Sequence, residues 1–195
     1  MSKSSLSKTY FDEVYQANDD PWNFETSPYE LAKYAATMAA LPRERYTNAF
    51  EIGCSIGVLS ELLAQRCDRL LAVDASELPL TVARKRLASY EQVTVNQLSI
   101  PAEFPDEQFD LILLSEVGYY LVLDDLKQAR QQMLDHLTDN GHLLLVHWTP
   151  FVPDYPLTGD QVHEEFLAIA GEGKPLKHML GQRTEKYRLD LFQKQ

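Results

Sequence analysis

The segment Glu51-Ile52-Gly53-Cys54-Ser55-Ile56-Gly57 concentrates the residue types from which a ligand site can be built. Glycine lets a backbone turn sharply and approach a ligand closely, because no Cβ stands in the way. At the end of a strand, Gly53 and Gly57 would bend the chain around a small molecule. Roughly 20 residues later Asp74 also stands at a strand end, where a carboxylate can accept hydrogen bonds from both hydroxyls of a ribose. Glycine bend and acid together point to a ligand containing a nucleoside. The dinucleotide fingerprint G-x-G-x-x-G would need glycine at positions 53, 55 and 58, and only Gly53 meets it.

A second group follows later in the chain. Ser115-Glu116-Val117-Gly118-Tyr119-Tyr120 comes directly after the fourth strand and His147 closes the fifth. In open α/β sheets, ligands sit outside these carboxyl ends. Glu116 can hold a cationic or hydroxyl-bearing acceptor, and Tyr119 and Tyr120 can wall it in. His147 is the first choice for a general base, since imidazole titrates near neutrality. His163, in the first turn of a later helix, can reach the same acceptor. Each has a plainer reading beside it: a solvated loop acid, a core aromatic, a structural histidine, an exposed helix residue. The five histidines are scattered and Cys54 and Cys67 stand alone, so no metal is expected.

These residues need a scaffold, and the chain spells one out. Ser27-Pro28-Tyr29-Glu30 combines a capping serine, proline at the first helical position and glutamate three residues after the cap. Leu31, Tyr34, Ala35, Met38 and Leu41 then recur at helical spacing until Pro42. A shorter helix is expected around residues 9–15, with Asp19-Asp20-Pro21-Trp22 as the connection. From Ala49 strands and helices alternate. Strands are predicted at 49–52, 69–73, 93–95 and 110–114, with helices near 58–63, 76–87 and 124–137. Asn140-Gly141 is expected to turn the chain into a strand at 142–147. After a helix near 160–170, two strands at 176–179 and 186–192 have no helix between them and read as an antiparallel pair. The expected architecture is a Rossmann-like α/β fold with a mostly parallel seven-stranded sheet and a C-terminal antiparallel strand. We expect one domain over 1–195, with 1–45 as a helical cap and 46–195 as the core.

Composition narrows the function. The 195 residues carry a formal net charge of −11, which disfavours broad binding to a nucleic-acid backbone. No stretch approaches the roughly 20 apolar residues of a membrane helix, and the first residues lack a signal-peptide core. Two cysteines make no disulfide framework, so a cytoplasmic protein is the expectation.

The loop beginning at Glu51 also fits the acid-x-G-x-G-x-G pattern of class I S-adenosylmethionine-dependent methyltransferases, with Ser55 in place of the middle glycine. Over about residues 46–195 the chain resembles that superfamily. More narrowly it is similar to the nodulation-protein-S-like branch, whose best-known member N-methylates a chitooligosaccharide precursor. That narrower likeness is carried by Asp19-Asp20-Pro21-Trp22, Ser27-Pro28-Tyr29-Glu30, Glu51-Ile52-Gly53-Cys54 and Ser115-Glu116-Val117-Gly118-Tyr119-Tyr120-Leu121. It implies S-adenosylmethionine as cofactor and a small-molecule acceptor, with a sugar-like or other metabolite amine preferred. It implies cofactor contacts from Glu51, Gly53, Ser55, Gly57, Asp74 and Ser115. Trp22 would lie over the cofactor, its ring face favouring a sulfonium. Lys33 would pair with the methionine carboxylate. Glu116, Tyr120 and His147 are then the candidate catalytic residues, and Tyr119 and His163 the candidate acceptor contacts. Many relatives carry an aspartate for the adenine amino group where this chain has Asn96-Gln97-Leu98-Ser99, so adenine would be read by backbone, Gln97 or Ser99. The C-terminal third, including Asp154 to Asp160, does not follow the chitooligosaccharide enzyme, so the acceptor does not carry over. Methylation of a hydroxyl, an NAD-linked oxidoreductase and a non-catalytic nucleoside-binding module are the competing readings.

Overall fold

The structure, a computed structural model, describes residues 4–195. The chain divides into two compact units, Ser7–Ser99 and Ile100–Gln195 together with residues 4–6. Its strands form a seven-stranded sheet in the order β3-β2-β1-β4-β5-β7-β6, numbered along the chain.

In the first unit two helices, α1 (Lys8–Ala17) and α2 (Pro28–Ala40), precede an alternation of β1 (Ala49–Ile52), α3 (Val58–Ala64), β2 (Leu70–Asp74), α4 (Glu77–Arg86) and β3 (Val93–Gln97). Ser27 caps α2 as its spacing predicts, its side chain accepting from the Glu30 amide at 3.5 Å. Ser76 caps α4 by accepting from the Leu78 amide. β1 is buried at every position, as a parallel strand covered on both faces must be. It pairs in parallel with β2, Ala49 opposite Leu70, and β2 pairs in parallel with β3. Phe50, Leu63, Leu70 and Leu80 are fully buried around these strands.

The second unit contains β4 (Phe109–Ser115), a 3-10 turn (Gly118–Tyr120), α5 (Leu123–His136), β5 (Leu137–Trp148), α6 (Gly159–Leu167), β6 (Leu176–Arg183) and β7 (Tyr187–Lys194). β4 and β5 run parallel, while β7 pairs antiparallel with both β5 and β6. The expected final antiparallel pair is present, with β6 running on to Arg183 and β7 to Lys194. β5 also begins earlier than expected. Phe109 pairs with Leu137 and Leu111 with His142, so residues 138–141 bulge out of a continuous strand. Asn140 supplies the left-handed backbone at φ 59, and a Cβ on Gly141 would lie 2.7 Å from the Thr138 carbonyl oxygen. The Asn-Gly pair thus makes a kink inside the strand where the sequence suggested a turn before it. α6 opens with a reciprocal capping box: the Thr158 side chain accepts from the Gln161 amide, and the Gln161 side chain accepts from the Thr158 amide. A Cβ on Gly159 would lie 2.2 Å from the Trp148 carbonyl oxygen, so the start of α6 presses directly on the end of β5.

Candidate functional site

The first cluster lies wholly within Ser7–Ser99. Gly53 and Gly57 hold φ values of 89° and 80°, in the left-handed region that glycine enters without penalty. Gly57 is doubly constrained, since a Cβ there would lie 3.1 Å from Ala83 Cβ on α4. Ser55, standing where the pattern has its middle glycine, is also left-handed at φ 48. Its neighbours explain how the strain is held. The Ser55 amide donates to Asp74 Oδ2 at 3.1 Å, and the Tyr15 hydroxyl donates to Ser55 Oγ at 2.6 Å. Asp74 Oδ1 accepts from the Ser76 amide at 3.0 Å. Both oxygens of Asp74 therefore take backbone N–H groups, the Ala75 amide adding to those of Ser55 and Ser76, and acceptor capacity remains for a hydroxyl donor. Burial pushes the Asp74 carboxyl up to about 6, against the three backbone N–H groups that favour its charge.

Glu51, one residue before the bend, is 1% exposed, and its Oε2 has no hydrogen-bond partner. Burial pushes its carboxyl up to about 7; the Ser60 hydroxyl opposes the rise and the Asp74 charge adds to it. A buried acceptor without a donor is the kind of atom a polar or cationic ligand group satisfies. α1 closes on the same region, for Ser76 Oγ donates to Asp12 Oδ1 at 2.6 Å while Tyr15 holds Ser55. Trp22 stacks on Phe24 with centroids 5.4 Å apart and meets the Tyr15 ring edge-on at 5.7 Å. Lys33 is 2% exposed and its ammonium lies 2.9 Å from Glu30 Oε2 and over the Tyr29 ring. The structure thus supplies Lys33 with an internal carboxylate where the sequence suggested a ligand's. Gln97 donates to the Ala75 carbonyl at 2.9 Å, and Ser99 is half-buried just beyond β3.

The second cluster lies wholly within the other unit. Ser115 ends β4, buried, and Glu116 follows in the left-handed region at φ 57, its amide donating to the Val146 carbonyl. Glu116 Oε2 accepts from the Tyr119 hydroxyl at 2.6 Å and from the Trp148 amide at 2.8 Å. Tyr119, Tyr120 and Tyr155 pack as a trio: Tyr119 stacks on Tyr155 at 5.0 Å, and Tyr120 meets both rings edge-on. Burial, followed for Tyr119 by the Glu116 charge and for Tyr120 by Tyr155, holds both phenols well above the ordinary tyrosine value. They act here as neutral hydroxyls and apolar walls.

His147 and His163 are both fully buried, which the sequence did not foretell for His163 on a helix expected to face solvent. The Gly118 amide donates to His147 Nε2 at 3.0 Å, and His147 Nδ1 lies 3.1 Å from His163 Nε2. His163 Nδ1 lies 2.6 Å from Asp190 Oδ2 on β7. Both nitrogens of His147 are therefore engaged within the protein. Asp190, 1% exposed, was not singled out from sequence. It sits in Leu189 to Phe192, a run whose other members are apolar, and an acid inside a buried strand was the available signal. Gly118 was missed as well: a Cβ there would lie 2.6 Å from Val162 Cγ1 and 3.0 Å from His147 Nε2. Among the described residues no group of three or more His, Cys, Asp or Glu could hold a metal, and no helix is long and apolar enough to cross a membrane.

A family model for nodulation protein S (NodS) matches residues 10–147, which takes in the first cluster, the Glu116–Tyr120 segment and His147. The chain belongs to the NodS family. Nodulation protein S of Rhizobium tropici is 31% identical over 130 residues, covering 66% of this chain and 55% of that protein. The chain thus spans about half the length of the curated NodS relatives it matches. A crystal structure from Pseudomonas syringae is 39% identical, with a TM-score of 0.73 over 85% of this chain and 99% of that one. The crystal structure of the N-methyltransferase NodS from Bradyrhizobium japonicum WM9 with S-adenosyl-L-homocysteine, at 23% identity, shares the fold. Its TM-score is 0.83 over 97% of this chain and 99% of that chain. The Rossmann-like fold expected from sequence is thus the NodS-family fold, and Asp190 lies beyond the segment that the family model matches.

Proposed function

We propose that this NodS-family chain binds S-adenosylmethionine and methylates a small-molecule acceptor, with an amine of a sugar-like or other metabolite preferred. The observation that carries the reading is the geometry around Asp74: a carboxylate fixed by two loop amides at the end of β2, beside a bend built on Gly53, Ser55 and Gly57. The residues fit the group. Asp74 offers its remaining acceptor capacity to ribose hydroxyls, Gly53 and Gly57 permit close backbone approach, and Glu51 offers a buried acceptor lacking a donor. Trp22 offers a ring face to a cation, while Gln97 and Ser99 are the side chains at hand for adenine. Ser115, at the end of β4, is assigned to the cofactor on the family likeness alone. Lys33, neutralised by Glu30, serves it by anchoring α2. The proposed cap works through the Tyr15–Ser55 and Asp12–Ser76 contacts of α1. When bound, the cofactor supplies a methyl group on an activating sulfonium.

The protein's task is then alignment, exclusion of water and removal of one proton. An amine must be neutral to attack. Glu116, held by Tyr119 and the Trp148 amide, is the group we assign to binding the acceptor and taking that proton. Tyr119 and Tyr120 form the walls. His163 acts from behind His147. The acidic chain is proposed to take neither nucleic acid nor membrane as partner and to work in the cytoplasm.

Calorimetric titration with S-adenosyl-L-homocysteine tests binding. Methyl transfer from labelled cofactor into a metabolite extract, with mass spectrometry of the product, tests the reaction. Binding with no labelled product would make the chain a non-catalytic module, and a methyl ether would replace the amine by a hydroxyl acceptor. Heat protection by NAD but not by S-adenosyl-L-homocysteine would overturn the reading.

A further inference from the structure

We infer that Asp190, His163 and His147 form a polarised hydrogen-bond chain that fixes the tautomer of both imidazoles and so sets the backbone of the Gly118–Tyr120 turn. Asp190 and His163 are thereby positioning residues for the proposed acceptor-binding segment. The chain is closed by obligate partners at each end. Asp190 accepts at both oxygens: Oδ2 from His163 and from Arg188 Nε at 2.7 Å, Oδ1 from His178 Nε2 at 2.6 Å. Burial alone would raise this carboxyl, but His163, Arg188 and His178 outweigh it and hold it below the ordinary value, so it is ionised and cannot donate. His163 Nδ1 must therefore carry hydrogen. A neutral His163 then has a bare Nε2, which accepts from His147 Nδ1. A neutral His147 has in turn a bare Nε2. At the far end stands the Gly118 amide, which can only donate, and it meets that bare nitrogen at 3.0 Å.

The two ends thus agree on one arrangement, and holding it takes both. Both imidazoles carry their hydrogen on Nδ1. One added proton anywhere in the pair destroys it. A proton on His147 puts hydrogen on Nε2, opposite the Gly118 N–H. A proton on His163 puts hydrogen on its Nε2, forces His147 Nδ1 bare, and moves the His147 hydrogen to the same conflict.

The groups facing the chain are consistent with its neutral state. Asp190 and Arg188 face His163 from β7, and Asp160 faces it from α6. Burial, the largest influence, draws His163 below 6.5 although Asp190 opposes it. His147 faces His163 and the edge of the Tyr119 ring at 5.4 Å. His178 reaches Asp190 from β6, and Arg188 is also bound to Glu164 at 2.8 Å. The seat is tight at the other end too, since Val162 and His147 leave Gly118 no space for a Cβ.

The test reads nitrogen-15 resonances of the wild-type protein. We expect both His147 and His163 as Nδ1–H tautomers at neutral pH. Scalar couplings should cross the two N–H···N bonds, Gly118 to His147 and His147 to His163, and vanish together in one pH step on acidification. Asp190→Leu, which removes every acceptor at the end, should abolish the distant Gly118 coupling, and Asp190→Asn, which keeps one acceptor oxygen, should retain it. If the Leu variant fails to fold, the wild-type spectrum still decides. An Nε2–H tautomer on either histidine, a missing Gly118 coupling, or couplings lost at separate pH values would overturn the chain. These readouts do not depend on catalysis, so the proposal and the methyltransferase reading on which its functional sense rests fail distinguishably. With the acceptor found in the labelled extract, Asp190→Leu should lower kcat about tenfold to a hundredfold and leave the Kd for S-adenosyl-L-homocysteine within twofold. A kcat within twofold of wild type would refute the positioning role.

Discussion

Replacing Glu51 by Gln should make the ligand-free protein more stable, increasingly so as the pH rises. The carboxyl is buried to 1% exposure and is pushed up to about 7, from an ordinary value of 4.5. Between those two values the folded wild type holds a proton that the unfolded chain has released, so its stability falls as the pH rises through that window. At roughly 1.4 kcal/mol for each unit of displacement, the cumulative loss is about 1 kcal/mol at pH 5.5 and about 3 kcal/mol at pH 8. Glutamine keeps the shape and removes the titration, so the gap between variant and wild type should widen by about 2 kcal/mol between those conditions. Urea unfolding at the two pH values, without ligand, measures it. The same change removes the carboxylate offered to the ligand, so affinity for S-adenosyl-L-homocysteine should fall while stability rises. Stabilities of variant and wild type that run parallel across the interval would show that Glu51 titrates as an ordinary acid, and the burial argument would be lost.

Asp74→Ala should weaken S-adenosyl-L-homocysteine binding by at least tenfold, equivalent to about 1.4 kcal/mol, because two acceptor oxygens and the fixing of the Ser55 amide go together; calorimetry reads the loss. Binding to the wild type should also weaken as the pH drops below about 6, the value to which Asp74 is pushed, since a protonated oxygen no longer accepts both hydroxyls. Tyr15→Phe deletes the hydrogen bond to Ser55 and should cost about 1 kcal/mol in thermal or urea unfolding. Gly118→Ala places a methyl 2.6 Å from Val162 Cγ1 and should cost about 1–3 kcal/mol in unfolding free energy.

β1 and β2 were legible because each is a short apolar run that gives way to a residue unable to continue it. Ile52 meets Gly53, and Val73 is followed by Asp74 and a capping Ser76. The glycine-bearing bend was legible for a related reason: positive φ at Gly53 and Gly57 is a demand that only glycine meets without cost, so composition reveals geometry. Ser55 shows the limit, because its left-handed backbone is upheld by Tyr15 and Asp74, from 40 and 19 residues away. The Lys33–Glu30 pair was not legible for want of direction: helical spacing places Glu30 one turn back, but only the folded helix shows that both turn inward. The second cluster was least legible. Periodicity marks Leu189, Leu191 and Phe192 as core yet cannot say that the acid among them faces two histidines on other elements.

The placement of β7 between β5 and β6 has a consequence for how the protein is made. Until the C-terminal hairpin docks, one whole side of β5 has no neighbour, and that strand carries Leu143, Leu144, Leu145 and Val146 in succession. An unpaired strand of that composition is a template on which a second nascent chain can add itself. The hairpin therefore serves as a guard, with its outer strand presenting Lys177, His178 and Arg183 in place of the leucines. A synthesis pause or a proteolytic nick between α6 and β6 would expose that template, and the visible outcome would be inclusion bodies rather than an inactive soluble protein.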